Sequence, residues 1–419
     1  MNNLRAHFID LLDKFLIVFL AFEMVFGSSG RVFSFGLFQF RYIYLIFITF
    51  YFWIKNDFSS KKNYFSFLFL IIIFYFCISL INGLLSNEIS DVIFSIQQYL
   101  YLFSIYTFYL IFNNPSRIKL FINSFIIFVT ILSIIVILLF ILLNFLPTLF
   151  PYVFRFFFSL DIGYLTIRSG FFSIYLKVSP FFPIVFSYYL FKNLKSFSIF
   201  NLLTLFILAC TIFITFNISI FLSTIVISIF SFYIYYITSR KSFFISLLVP
   251  FLVLNSLFLF IVILNIEYFF SFFDRFSLND QSVMIKLNQF IEILKLSFSR
   301  PFFGYGFGEQ IIFTLENFPD RIQNRFEIVW LEILLFSGYI GLFIFIYPIF
   351  RGFQIGFISI KSKYFTHDNY AVFLSLSTIV VLTVISFSNP YLNNSIGLGI
   401  YSISLVFIDF YCIKGLKHA

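Results

Sequence analysis

The sequence predicts an all-α, polytopic membrane protein of about twelve transmembrane helices, with one large loop between the ninth and tenth. Three observations predict it. The 419 residues are 61% hydrophobic and 11% charged, with a mean hydropathy of +1.02; soluble domains carry about 25% charged residues, which excludes a soluble globular enzyme. Apolar runs long enough to cross a bilayer recur along the whole chain. Basic residues gather in alternate short loops between those runs, the arrangement that sets orientation in a bilayer.

The runs lie near 11–27, 36–54, 64–83, 92–112, 118–146, 173–191, 197–216, 218–237, 243–265, 326–350, 370–388 and 395–413. Thr215-Phe-Asn-Ile-Ser219 offers a tight turn that divides the block from 197 to 237 into two spans. The run at 118–146 exceeds the need, so it tilts or continues past the membrane surface. The start, Met-Asn-Asn-Leu-Arg-Ala-His, lacks the layout of a cleavable signal, and the first span is expected to stay in place. The whole of 1–419 thus reads as a single transmembrane domain.

With the N-terminus inside, one set of loops holds Lys55, Lys61 and Lys62, then Arg117 and Lys119, Lys192 and Lys195, Arg240 and Lys241, Arg351, Lys361 and Lys363, and Lys414 and Lys417. The intervening short loops carry almost no base, which places both termini in the cytoplasm. Two long outward loops break the rule. The first, 147–173, holds Arg155 and Arg168, with Lys177 just beyond it; the second, 266–325, holds Arg275, Lys286, Lys295, Arg300, Arg321 and Arg325. Bases kept on the outer side invite an anionic ligand there. The net charge of +9 does not indicate nucleic acid, because the charges sit in membrane loops.

Within the second loop, Ser282 to Ser299 reads as an amphipathic helix lying along the membrane interface, with a polar strip through Ser282, Lys286, Gln289, Glu292, Lys295 and Ser299. Arg300-Pro301 ends it, and Gly304, Gly306 and Gly308 give a flexible, closely approachable turn. The histidines are His7, His367 and His418, all on the inner side, and the cysteines Cys77, Cys210 and Cys412 lie in apolar runs. The outward loops therefore hold no zinc site and no Cys/His nucleophile pair. They do hold arginine, lysine and carboxylate. Arginine binds phosphate oxygens through a bidentate fork and suits a diphosphate; anionic lipid headgroups are the blander ligand. Glu327 and Glu332 enter the tenth span together, as general base, positioning group or partners of Arg325 or Arg321. Glu23 and Arg41, in the first two spans, could pair with each other. The 75 phenylalanines serve as generic lipid-facing bulk and mark no site.

Taken in order, Ser282-x-x-x-Lys286, Ser299-Arg-Pro-Phe-Phe-Gly-Tyr-Gly-Phe-Gly308 and Glu327-x-x-Trp-Leu-Glu332, followed by Gly338-Tyr-Ile-Gly341, resemble the C-terminal signature of the O-antigen polymerase and O-antigen ligase superfamily. Arg168-Ser-Gly-Phe-Phe resembles that family's earlier outer loop. Thr215 to Ser219 resembles the start of one of its spans, and Ser388-Asn-Pro-Tyr-Leu the segment before its last. The resemblance runs from about Arg168 to Ser395. It implies a multi-pass glycosyltransferase (GT-C-like) of the bacterial inner membrane, working on undecaprenyl-diphosphate-linked glycans at the periplasmic face without nucleotide sugar, cofactor or metal. Membrane lipids, a chain-length regulator and a flippase are the further partners it implies. On that basis Glu327 and Arg300 are the catalytic candidates, and Arg168, Lys177, Lys286, Arg321 and Arg325 the diphosphate-binding ones. Family members commonly carry Arg where Lys286 stands, and ligases a His where Glu327 stands, which favours polymerase over ligase; a lipid-linked-glycan flippase is a third reading.

Overall fold

A computed structural model describes residues 2–27, 34–35, 38–55, 63–168, 171–239, 281–315, 318–323, 326–361 and 370–413. The chain is predominantly helical. The first helices are α1 (Asn2–Phe26), α2 (Phe40–Lys55), α3 (Tyr64–Ser86), α4 (Ile89–Ile96), α5 (Ser104–Ile111), α6 (Pro115–Phe145) and α7 (Phe150–Leu160). There follow α8 (Phe181–Lys195), α9 (Ile199–Ile214), α10 (Ile218–Ser239), α11 (Gln281–Ser299), α12 (Val329–Lys361), α13 (Tyr370–Ile385) and α14 (Ser395–Ile408). Among the described residues, five helices are long and apolar enough to cross a membrane: Tyr64–Ser86, Pro115–Phe145, Ile218–Thr238, Val329–Lys361 and Ser395–Cys412. Ile199–Ile214 and Tyr370–Ile385 are shorter apolar helices. The run expected at 243–265 lies outside the described residues.

The all-α expectation holds for the body of the molecule but not for its loops. Three two-stranded antiparallel hairpins occur: β1 (Ser34–Phe35) with β2 (Phe38–Gln39), β3 (Gly163–Arg168) with β4 (Phe171–Leu176), and β5 (Ile311–Leu315) with β6 (Phe318–Gln323). The β3–β4 hairpin takes the first residues of the run expected at 173–191, so its helix begins only at Phe181. Phe172, Ile174 and Leu176 point their apolar side chains to one packed face of β4, and Ser173 between them is buried as well.

The core forms around α14, in which every residue from Ser395 to Ile408 is buried. It packs on α13, α5 and α12 and on the short 3-10 helix Tyr99–Phe103. The exterior is apolar: Phe67, Phe74, Leu138 and Ile229 each expose 60% or more of their surface. In water such a face would aggregate; in lipid it is solvated. Since lipid is as apolar as a leucine, burying hydrocarbon does little to hold these helices together, and close packing and internal polar bonds carry that role.

The buried Glu23–Arg41 pair is one such bond. The Arg41 Nε donates to both Glu23 carboxylate oxygens at 2.7 and 2.8 Å, and a guanidinium NH reaches Ser395 Oγ at 3.2 Å, tying α1 and α2 to the start of α14. Both side chains are 1% exposed, and removing one partner of such a pair costs about 3–5 kcal/mol.

The turn between α9 and α10 forms as the sequence indicates. Phe216 takes a left-handed φ of 50°. The Asn217 side-chain oxygen accepts from the Ser219 and Ile220 amides at 3.1 and 3.3 Å, capping α10. The span expected at 92–112 is broken: α4 passes through the 3-10 helix Tyr99–Phe103 into α5.

Candidate functional site

The glycine turn after α11 is the first part of the site. It docks into the break of α12, which occurs at Gly338, where φ is 68° and ψ −173°. The break frees the carbonyls of Leu335 and Phe336, and the turn supplies their donors: the Tyr305 amide at 2.8 Å and the Gly306 amide at 3.0 Å. In return the Tyr339 amide donates to Pro301 O at 2.7 Å, and the Phe307 amide to Ser79 O of α3 at 3.1 Å. Irregular backbone at this depth is tolerated only when its polar groups are satisfied inside the protein. Gly304, Gly306 and Gly308 are all buried. The expected close approach is therefore present, but the expected flexibility is not. The turn is clamped between α3, α4 and α12.

Phe307 fills the centre of this joint, within 5.6 Å of the rings of Phe76, Tyr99 and Phe336. Arg300, at the end of α11, is exposed and its guanidinium lies 4.6 Å from the Tyr305 ring centre. Glu309, beyond the turn, has its carboxyl held above the usual carboxylate range by partial burial, opposed by Arg300 and by a hydrogen bond with Asn87.

A polar cavity of about 480 Å³ is the second part. Its wall comes from four places: Gln98 at the broken span, Tyr164, Tyr175 and Lys177 of the β3–β4 hairpin, Phe326 and Glu327 ahead of α12, and the loop from Asn389 to Ile396 between α13 and α14. Tyr164 and Tyr175 are cross-strand partners whose rings stack 6.1 Å apart at 18°. The Tyr175 and Tyr391 hydroxyls share a hydrogen bond. Burial first, and mutual proximity with it, pushes the Tyr391 phenol far above its ordinary range; burial does the same for Tyr175, so both keep their protons.

Behind the cavity floor lies Glu332, 1% exposed. Its carboxylate accepts from the Tyr99 hydroxyl at 2.9 Å, the Asn393 amide at 2.9 Å and the Phe326 backbone amide at 3.3 Å. One acidic group thus fixes three segments that shape the cavity. The broken span has a role here, since it brings Tyr99 to Glu332 while Gln98 lines the cavity.

Of the site residues expected from the sequence, the cavity brings together Lys177 and Glu327. Lys286 joins them from α11, its ammonium 3.1 Å from Glu327. Lys177 is paired with Asp161 at 2.6 Å. Glu327 was expected beside Arg325 or Arg321, whose side chains lie outside the described residues; among the described residues its partners are Lys286 and Gln289, whose side-chain oxygen accepts from the Glu327 amide at 3.2 Å. Gln289 is accordingly fully buried, not part of an outward polar strip, because α11 turns its Ile285–Gln289–Ile293 face to the protein. Arg300 stands on the glycine turn and is not among the cavity's lining residues. The side chains of Arg168 and Arg321, and Arg325 altogether, lie outside the described residues. Among the described residues, no three His, Cys, Asp or Glu side chains converge as metal ligands.

Sequence reasoning missed Gln98, Tyr164, Tyr175, Tyr391, Asn393 and Asn394. The last three had a signal: Asn389-Pro-Tyr-Leu-Asn-Asn394 places three amides within six residues between two apolar runs.

Comparison with known proteins agrees with the motifs. Residues 203–346 match a family model described as O-antigen ligase. The chain is also 27% identical to an O-antigen polymerase of Shigella flexneri, over 434 aligned positions that cover 100% of this chain and 97% of that relative. The family match begins in α9 and ends in α12, so it takes in the glycine turn, Lys286, Glu327 and Glu332 but neither the β3–β4 hairpin nor the Asn389–Asn394 loop. Residues 203–346 are thus similar to the O-antigen ligase family model, and the chain's likeness to an O-antigen polymerase extends along its whole length.

Proposed function

We propose that this protein is a polymerase that joins undecaprenyl-diphosphate-linked oligosaccharide repeat units into a surface polysaccharide. It works at the periplasmic face of the inner membrane, with both termini cytoplasmic, about twelve spans, and the loops 147–173 and 266–325 outside. The observation that carries the reading is the placement of Glu327. It lines a polar cavity, is held by Lys286, and stands at the start of the helix into which the glycine turn docks. Likeness to a polymerase over the full chain supports it.

In this reading the acceptor hydroxyl of one lipid-linked unit attacks the anomeric carbon of the growing chain. A new C–O bond forms, the bond to the lipid diphosphate breaks, and the diphosphate leaves with the electron pair. Glu327 takes the hydroxyl proton. Fixed cations stabilise the departing charge. Arg300, preset over Tyr305, is the described candidate for that, with Arg168, Arg321 and Arg325 as further ones. Lys286 and Lys177 also remain on the substrate side, each beside a carboxylate.

The family model's description, O-antigen ligase, supports a second reading, in which the glycan passes to lipid A-core. Deleting the gene and resolving the surface polysaccharide by length separates the readings. A polymerase deletion leaves core capped with a single repeat unit, whereas a ligase deletion leaves core with no glycan at all. Lipid-linked units trapped on the cytoplasmic side would instead mark a flippase, and unchanged long chains would overturn the proposal.

A further inference from the structure

A separate cleft of about 240 Å³ lies where several helices end, away from the polar cavity. Its lining includes Ser116, Lys119 and Asn123 of α6, Tyr188 of α8, Tyr370 of α13 and Tyr411 in the π-helical turn that follows α14. Helix α6 has 31 residues and so runs roughly 45 Å, from this cleft to the end of the bundle where it packs on β4. The lining lies wholly outside residues 203–346.

The cleft gathers cations and hydrogen-bond donors. Lys119 lines it directly. Tyr188 and Tyr370 form one wall, with ring centres 5.8 Å apart. Two more lysines rest on those rings: Lys192 Nζ is 6.0 Å from the Tyr188 centre, and Lys195 Nζ is 5.2 Å from that of Tyr370. Partial burial lowers the Lys195 ammonium below the usual lysine range, and a nearby anion offsets that effect. Lysine binds phosphate as a point charge. The hydroxyls of Ser116 and the tyrosines and the amide of Asn123 can donate to the remaining oxygens.

The surroundings say where such a phosphate comes from. Phe197, Ile199 and Phe200, just past Lys195, expose 64%, 69% and 70% of their surface, an apolar face suited to lipid. Lysines whose stems lie along apolar surface hold their ammoniums at the level of the headgroups. Basic pockets between helices at that level take anionic lipid headgroups.

We infer that this cleft binds the phosphate headgroup of an anionic phospholipid, held between Lys119 on α6 and the Lys192–Lys195 end of α8, with Tyr188 and Tyr370 as its wall. Bound there, the lipid bridges α6, α8 and α13 and acts as a structural ligand of the bundle. The site is independent of the proposed reaction.

The test uses the full-length protein in neutral detergent, with phosphatidylglycerol and phosphatidylcholine of the same acyl chains added in equal amounts. Native mass spectrometry reads which lipid is retained. Wild type prefers phosphatidylglycerol about tenfold. Lys119→Gln cuts that preference about fivefold, and Lys119→Arg keeps it. Lys14→Gln also removes one positive charge but stays within about twofold of wild type, because Lys14 is paired with Asp10 on the exposed face of α1. Lys119 is exposed, so its variants keep the wild-type melting temperature in lipid-free detergent. Soluble glycerol phosphate at the lipid's concentration leaves the bound lipid in place. No preference in wild type, or an unchanged preference in Lys119→Gln, would overturn the site. An equal loss in Lys14→Gln would also overturn it, by reducing it to diffuse attraction. Displacement by glycerol phosphate would overturn the lipid assignment and leave a site for a free phosphate ester.

Discussion

Glu332 shows what one residue does for the site. Three donors converge on its two oxygens, all from buried residues. Glu332→Ala strands them, at roughly 1–3 kcal/mol per unsatisfied buried group. Glu332→Gln keeps the shape but has one acceptor oxygen, so with that oxygen facing Asn393 and Phe326 the Tyr99 hydroxyl must turn from donor to acceptor and its own buried proton loses its partner. The apparent melting temperature of the detergent-solubilised protein should therefore fall for both, further for Ala than for Gln. A Gln variant indistinguishable from wild type would mean that Glu332 does not order the cavity. The sequence showed Glu332 as a carboxylate entering a span, which is costly and hence noticeable. It could not show the partners, because Tyr99 and Asn393 lie 233 and 61 residues away. The tyrosines were harder still. With 26 Tyr and 75 Phe in the chain, no single ring stands out, and only the fold selects Tyr164, Tyr175 and Tyr391.

At the scale of elements, the glycine turn is a joint. Gly306 sits at a φ of +90°, and a Cβ added there would lie 2.3 Å from the Gly83 amide nitrogen and 2.7 Å from its Cα. Those are backbone atoms of α3, which no rotamer change can move aside. Gly306→Ala therefore meets about 1–2 kcal/mol of conformational strain and an overlap costing about 1–3 kcal/mol more. The expected outcome is that the turn leaves its seat, the carbonyls of Leu335 and Phe336 lose their donors, and α11 loosens with Lys286 on it. Trypsin should then cleave after Lys286 or Lys295 much faster in the variant than in wild type, in membranes and without denaturant. Equal cleavage rates would show that the joint tolerates a methyl group. Three glycines in five residues made a turn legible in the sequence. The fourth glycine of the contact, Gly83, lies in another helix and gave no local sign. The break at Gly338 was equally hidden, since α12 reads as a continuous apolar run.

For the molecule as a whole, function depends on which end faces out. The membrane character and most of the helices were plain from hydrophobic runs, because lipid imposes the same demand on every span. The hairpins were not, because β3 reads as part of the loop 147–173 and β4 as the start of the apolar run that follows it. The β3–β4 hairpin, the glycine turn and the Asn389–Asn394 loop share one end of the helical bundle, and Lys55, Arg117 and Asp13 meet at the other, at 2.5 and 2.6 Å. Positive charge gathered on that second end is the ground for proposing that it faces the cytoplasm. Single cysteines put this to the test in a background carrying Cys77→Ser, since Cys77 is exposed whereas Cys210 and Cys412 are buried. In intact cells with a permeabilised outer membrane, a membrane-impermeant maleimide should label Tyr164→Cys and spare Ser116→Cys; after lysis it should label both, as both positions are exposed. The reverse pattern would put the cavity in the cytoplasm, where undecaprenyl-linked units are assembled rather than polymerised, and the proposed reaction would lose its substrate. The outcome thus decides, in one measurement, whether the cavity with both Lys177 and Glu327 in its wall can meet a periplasmic glycan.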